Sequence, residues 1–317
     1  MRSALPLLVL AASLLCVPVA GALNEYGIEG MGVVSSKAGE GRASISPDGQ
    51  RIVFASDRPG GAGGWDLWQA TLHDGRWQQP EPLQPPFNSA GDELDPYMSR
   101  DGHWLLFASD REGRLALFRA AIAADGSFGQ PEPWRADGPG AVERGPALSA
   151  DGRQLLSARK DGSSRGFDLY VAPLDNGRRG PAVALQALNS AADETDADWL
   201  GNDGAVVFSR ATGDQAQVWV SDCAWTGTSL QPLTLSFNVA EGNTSAPVVD
   251  NAKPGELLVA SSSARAPRAG GSDVYRLRAP RLAAAPGCRP GTVARQEPAG
   301  PVNAPAASRA PARIPPR

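Results

Sequence analysis

Histidine is almost missing from this 317-residue chain, which holds two, His73 and His103, and cysteine occurs three times. Neither histidine belongs to a His-Glu-x-x-His or other zinc-like spacing. No Gly-x-Ser-x-Gly elbow or phosphate-cradling glycine loop occurs either, so the usual signatures of zinc hydrolases, serine hydrolases and nucleotide-binding enzymes are lacking. After the first 22 residues no segment keeps apolar residues at 3.6-residue spacing over ten positions, which argues against a helical solenoid. No run there approaches the roughly 20 apolar residues that cross a bilayer, so no membrane span is expected in the mature chain. The formal net charge is −4, and the basic charge of the C-terminal segment is well below that of a nucleic-acid-binding arm.

What is present begins with a leader. Residues 1–22 carry Arg2, an apolar stretch over residues 4–15, and the small residues Ala20-Gly21-Ala22, the pattern of a secretory signal peptide. Cys16 follows Leu14-Leu15 rather than the small residue that a lipobox requires, which disfavours lipid anchoring. Export to the periplasm or beyond leaves Cys223 and Cys288 in a compartment that permits disulfides. Pairing would tie the C-terminal segment to the preceding module; two free thiols are the alternative. Residues 286–317 are rich in Pro, Ala and Arg, with arginines at 289, 295, 309, 313 and 317 against Glu297 alone. Such a stretch lacks the apolar content to offset ordering and reads as a disordered tail behind a body spanning residues 23–285.

That body repeats itself. Ser46-Pro47-Asp48-Gly49 precedes Arg51-Ile52-Val53-Phe54-Ala55-Ser56-Asp57-Arg58, and Ser99-Arg100-Asp101-Gly102 precedes Trp104-Leu105-Leu106-Phe107-Ala108-Ser109-Asp110-Arg111. Further copies surround Asp151-Gly152 and Asp203-Gly204, and a worn one covers residues 251–265. Asp-Gly between apolar runs is a hairpin signal, and each period of about 50 residues accommodates four antiparallel strands. One such sheet cannot bury both faces alone, whereas sheets packed around an axis can, so the expected fold is an all-β propeller. Five inner-strand motifs imply five blades, with six as the alternative. Residues 30–36 are expected to supply a strand that completes the last blade.

The Ser-Pro-Asp-Gly turn, the Ile-Val-Phe-Ala-Ser-Asp-Arg strand and the later Asp66-Leu67-Trp68 resemble the WD40-like PD40 repeat of TolB-type propellers. The links Phe87-Asn88-Ser89-Ala90-Gly91-Asp92-Glu93 and Asn189-Ser190-Ala191-Ala192-Asp193-Glu194 resemble the family's inter-blade segment. The resemblance covers residues 40–280 and excludes the separate N-terminal domain of TolB. It implies a module for protein contacts in the cell envelope, while some related propellers carry enzymes for acidic sugars or accompany peptidase domains.

Aligned on their turns, the repeats share an acid. Glu40, Glu93 and Glu143 precede the turn aspartate by eight residues and Glu194 by nine, with Glu241 a looser fifth member. Radial repetition makes these a ring. On a functional reading they line the channel mouth and attract a cation or a basic segment of a partner; on a structural reading each carboxylate accepts hydrogen bonds and holds its blade's entry loop. Asp57-Arg58 and Asp110-Arg111 read as ion pairs between blades or turn braces, Asp66, Asp168 and Asp273 as loop caps, and Phe54, Phe107 and Phe208 as core. One of Trp65 and Trp68 is expected at the surface, beside Gly60-Gly61-Ala62-Gly63-Gly64, where an indole suits protein or glycan contact. No residue is assigned a catalytic role, and no cofactor is expected; whether the ring holds calcium is left open by the spacing. The expected role is non-catalytic binding of an envelope protein or peptide. The alternatives are a glycosidase or lyase acting on acidic sugars, for which Asp92/Glu93 and Asp193/Glu194 are the paired carboxylates, and a purely structural module.

Overall fold

The computed structural model describes residues 29–135, 141–160, 166–201, 204–282, 285 and 287–288, so the expected leader and nearly all of the C-terminal segment lie outside the described residues. The described strands form five antiparallel sheets. The first blade runs Glu40–Ile45, Arg51–Ser56, Asp66–His73 and Arg76–Trp77, with Glu81–Pro82 also on its third strand. The second comprises Glu93–Met98, Trp104–Ser109, Ala116–Ala121 and Glu132–Pro133. The third has Val142–Leu148, Gln154–Lys160, Asp168–Asp175 and Arg178–Arg179, plus Val183–Ala184; the fourth has Asp193–Trp199, Val206–Thr212, Gln215–Ser221 and Gln231–Pro232. The fifth joins Thr244–Val249, Glu256–Ser261 and Asp273–Arg278 to Glu29–Gly30 from the other end of the chain.

The Ser-x-Asp-Gly motif makes the turn between the two inner strands. Asp48 accepts hydrogen bonds from the Ser46 hydroxyl and the Gln50 backbone N–H, and Gly49 takes a φ of 72°, which a β-carbon would disfavour. Asp101 and Asp151 repeat the arrangement with Ser99 and Ser149. The strand leaving each turn is apolar on both faces because a neighbouring blade covers each one: Ile52, Val53, Phe54 and Ala55 are all buried.

Hydrophobic burial is therefore concentrated in the seams between blades. Val53, Leu67, Leu83 and Phe87 of the first blade and its link meet Met98, Leu105, Phe107 and Phe118 of the second. Val207, Val218 and Phe237 meet Val249, Leu257 and Tyr275 across the seam of the last two blades. Ring closure buries Leu258 and Val274 against Ile45, Ile52, Phe54 and Trp68.

The closing strand is shorter than residues 30–36. Glu29 and Gly30 pair with Arg276 and Tyr275, and the Met31 N–H reaches the Val274 carbonyl at 3.2 Å. Gly32 then turns to a φ of 57° and the chain enters a short 3-10 turn, Gly32–Val34, that drops Val34 into the closure seam. The outer strands are likewise short and interrupted. In the second blade the outer strand is Glu132–Pro133, and Phe128 makes only an isolated bridge to Ile122. A disulfide joins Cys223 to Cys288 with their Cα atoms 5.6 Å apart, pinning the chain beyond the fifth blade to the fourth.

Candidate functional site

The repeated glutamates lie inside the wall of the ring, not at its mouth. Glu40, Glu93 and Glu194 are fully buried and Glu143 nearly so, so none presents charge to solvent. Their backbone docks each blade on the one before: the Glu93 N–H donates to the Trp65 carbonyl at 2.7 Å, and the Glu194 N–H to that of Phe167 at 2.8 Å. Glu40 closes the ring by donating to Ser272 of the last blade at 2.8 Å. Three of the carboxylates, Glu40, Glu93 and Glu194, then hold their own entry loops. Glu93 accepts from the Ser89 N–H at 2.7 Å and hydroxyl at 2.6 Å, from the Ser109 hydroxyl at 2.7 Å and from Arg111 at 3.1 Å. Glu40 does the same with Ser36, Ser56 and Arg58, and Glu194 with Ser190 and Arg210. Glu143 takes Ser157 and a two-pronged contact from Arg179.

Glu241 does not belong to this set. It is exposed, and the position opposite Ser261, matching Glu93 opposite Ser109, is Thr244. Glu241 lies three residues before that position, within the incoming link, and the fifth blade has no acid at the equivalent site. Arg58 and Arg111 pair within their own blades rather than between blades, and each guanidinium stacks on two rings: Phe54 and Trp68 for Arg58, Phe107 and Phe118 for Arg111. Asp66 and Asp273 accept loop N–H groups from Ala62 and Ala269. Trp68 is a core residue at 5% exposure, and Trp65 is half-buried over Gly39 and Gly41, so neither is a freely presented indole. Asp92 and Asp193 spend a carboxylate oxygen on the Trp65 and Phe167 N–H groups, and their glutamate neighbours are buried.

Charge on the axis comes from residues that do not repeat. The inner strands share a β-bulge, and the bulge position carries Arg42, Asp95, Gly145, Asp196 and Ala246 in blade order. Asp95, Gly145, Asp196 and Ala246 have φ between 53° and 63°. Arg144 holds Asp95 with two bonds of 2.8 Å and stands 3.8 Å from Asp196. Arg42, 1% exposed, donates to the Ala197 carbonyl at 3.4 Å, joining the first blade to the fourth. Arg100 of the second blade donates to the Trp199 carbonyl of the fourth, and stands 4.0 Å from Asp198. Asn251 of the fifth blade donates to the carbonyls of Ile45 at 3.0 Å and Met98 at 2.8 Å, in blades one and two. Blades one and four, two and four, and two and five are not neighbours in a five-membered ring, so these bonds cross its centre.

The crossings solve a problem of the architecture. An innermost strand is an edge, with backbone groups facing the axis and no further strand to pair with. The crossing side chains take its carbonyls, and side chains of the neighbouring blade take its N–H groups: the Ser44 hydroxyl accepts from the Met98 N–H at 2.9 Å and the Asp198 carboxylate from the Val249 N–H at 2.8 Å. Burial tends to raise Asp95, but Arg144 outweighs it and holds the carboxyl below its ordinary range. Burial, reinforced by the Asp95 charge, pushes Asp196 up, and burial raises Asp198 against the partial relief of Arg100 and Arg42. Three arginines and three aspartates thus stand together on the axis; Arg144 pairs with Asp95, while Arg42 is held through the Ala197 carbonyl and leaves Nε and Nη1, like Asp196 Oδ1, without a hydrogen-bond partner among the described residues.

Recessed, solvent-open surface lies instead on the face of the Asp-Gly turns. Between the first two blades a cleft of about 590 Å³ is floored by Leu72, Met98, Ile122 and Phe128 and rimmed by Asp48, Asp101 and Asp125. All three carboxyls sit below their ordinary values. Asp48 is held there by the Ser46 hydroxyl, Asp125 by that of Ser127, and Asp101 by Ser99 and the His103 N–H against the opposing effect of burial. Arg51, on the same wall, is committed to the Gly126 carbonyl and the Phe128 ring. His103 faces Asp101 at 3.2 Å, and His73 is exposed outside the cleft beside Asp74. The repeat pattern contained Asp48 and Asp101, but not the fact that their two turns and the loop around Asp125 converge on one opening.

No family model matches the chain, and no curated protein does. Among solved structures it is similar to TolB from Acinetobacter baumannii at 18% identity and a TM-score of 0.45, over 64% of this chain and 45% of that one. It is also similar to a putative TolB from Agrobacterium tumefaciens at 16% identity and a TM-score of 0.49, over 78% of this chain and 86% of that one. An oligogalacturonate lyase from Vibrio parahaemolyticus matches at 11% identity and a TM-score of 0.41, over 74% of this chain and 62% of that one. The chain therefore spans less than half the length of the Acinetobacter protein it matches.

Proposed function

We propose that this chain is an exported, non-catalytic binding propeller that engages a protein or peptide of the cell envelope. Contact is made through the face of its Asp-Gly turns rather than through its axis. The observation that carries this reading is the contrast between the two recessed regions. The axis is filled by side chains that neutralise one another, whereas the cleft between the first two blades is open and keeps three carboxylates ionised around an apolar floor. Such an opening suits an extended segment that presents a basic side chain beside an apolar one, since its three carboxylates outnumber Arg51 and a net negative cleft focuses potential on its ligand. The Cys223–Cys288 bond fits the oxidising compartment that a secretory leader implies.

Affinity capture from envelope extract tests the proposal. The mature protein is compared with D48N/D101N/D125N, whose amide side chains keep an acceptor for each turn. Retention of one partner by the native protein, and its loss by a variant with an unchanged circular dichroism spectrum, is the expected result. Equal capture by both proteins, or release of sugar product from polysaccharide by the native protein, overturns it.

A further inference from the structure

We infer that the basic C-terminal segment, residues 289–317, docks in cis into the cleft between the first and second blades and competes there with any outside ligand. The inference takes its cleft from the proposed function but needs no partner to exist. Four observations lead to it.

The segment starts on the correct face. Cys288 is bonded to Cys223 and packs against Gly204, which ends the turn after the inner strand of the fourth blade. The equivalent turns of the first two blades rim the acidic cleft. Charge then steers it past the nearer opening. A cleft of about 670 Å³ between the last two blades is lined by Lys253, Arg278 and Arg281 against Glu256, the same sign as the segment. The farther cleft offers Asp48, Asp101 and Asp125 to Arg289, Arg295, Arg309, Arg313 and Arg317, which Glu297 offsets only once.

Reach is ample. A proline-rich stretch extends about 3.1 Å per residue, so the segment could span roughly 90 Å. A body of this size is about 45 Å across. Composition also fits, because proline-rich chain has little conformational freedom to lose and Val302 and Ile314 can meet an apolar floor. Tethering replaces bulk concentration by an effective one in the millimolar range, so even weak contacts populate the docked state.

The test is site-directed photo-crosslinking in the oxidised mature chain, with a benzophenone amino acid replacing Ala306. Docking predicts intramolecular adducts on Met98 or on residues 122–128, reduced at least five-fold by 0.5 M salt and equally in R309Q/R313Q. Those arginines lie outside the propeller blades, so their loss leaves the fold intact; D48N/D101N/D125N supplies the reciprocal test. Adducts on other blades, adducts only between two molecules, or no intramolecular adduct each overturn the inference. None of these outcomes bears on capture of a partner from extract, and failure to capture one leaves the adduct map standing, so the two readings fail separately.

Discussion

The second and fifth blades hold their entry loops by different chemistry. In the second, a fully buried Glu93 receives two serines and Arg111, whose guanidinium also reaches the carbonyls of Pro86 and Phe87 in the incoming link. In the fifth, Thr244 replaces the glutamate and Ser263 stands at the arginine position. The Thr244 hydroxyl bonds Phe237 at 3.1 Å and Ser261 at 3.0 Å, with no ion in the set. Acid and arginine are absent together. Had one been lost alone, the other would be a buried charge without its counter-ion, which costs far more than the pair contributes. The repeated acid is thus one half of a charge pair rather than a ligand, and its recurrence reflects the recurrence of the arginine.

Breaking that unit in one blade should give the largest effect. Glu93→Ala leaves Arg111, the buried Ser109 and the half-buried Ser89 without their carboxylate and should destabilise by about 4 kcal/mol. The double variant E93T/R111S transplants the fifth blade's solution and should be less costly than Glu93→Ala alone, giving a coupling energy of roughly 2 kcal/mol in a denaturant double-mutant cycle. Additive losses would show that the two side chains act independently and would sink the comparison.

The fifth blade lacks more than the ion pair. Its closing strand supplies two residues, Glu29 and Gly30, and the disulfide is the covalent link across the seam it shares with the fourth blade. C223S/C288S should therefore destabilise by about 4 kcal/mol, the effect expected on releasing a loop of this size. Hydrogen exchange should rise first in Glu256–Ser261 and Asp273–Arg278 and leave Trp104–Ser109 protected. Uniform loosening of all blades would contradict the view that the weakness is local.

How much of this was legible in the sequence depends on whether a feature repeats. Asp-Gly turns and apolar strands recur, so blade number and order followed from their spacing. The buried brace was half legible: Ser89-x-x-x-Glu93 and Ser190-x-x-x-Glu194 stand at one spacing, yet nothing local says that their carboxylates point into the wall and not the channel. Burial decides that, and burial comes from the neighbouring blade. The axis was illegible because one structural position carries Arg42, Asp95, Gly145, Asp196 and Ala246 in turn. An alignment that seeks identity discards such a column. The constraint there is complementarity across the ring, where opposite charges must differ in order to pair. Glu241 failed for a simpler reason: the fifth blade carries Thr244 at the equivalent position, and the nearest acid lies three residues earlier in the link.

The smallest effect, and the one that carries a sign, separates the two axial aspartates. Asp95 is held below its ordinary pKa of 3.8, so its contribution is present above that value and is lost as pH falls through the folded-state pKa. Asp196 is pushed above 3.8 by burial and by Asp95. Its folded form keeps a proton that the unfolded chain has released, so its contribution is full below pH 3.8 and is lost as pH rises through the folded-state value. At pH 7, Asp95→Asn should cost about 2 kcal/mol by weakening the two-pronged Arg144 contact. Asp196→Asn should be neutral or stabilising, because it removes a charge that burial disfavours while keeping an acceptor for the Thr195 hydroxyl. Urea unfolding from pH 3 to pH 8 distinguishes them: D196N should gain on the native protein as pH rises, and D95N should fall behind. Parallel curves would mean that the two carboxylates share one environment, against the geometry that gives Arg144 to Asp95 at 2.8 Å and leaves Asp196 at 3.8 Å.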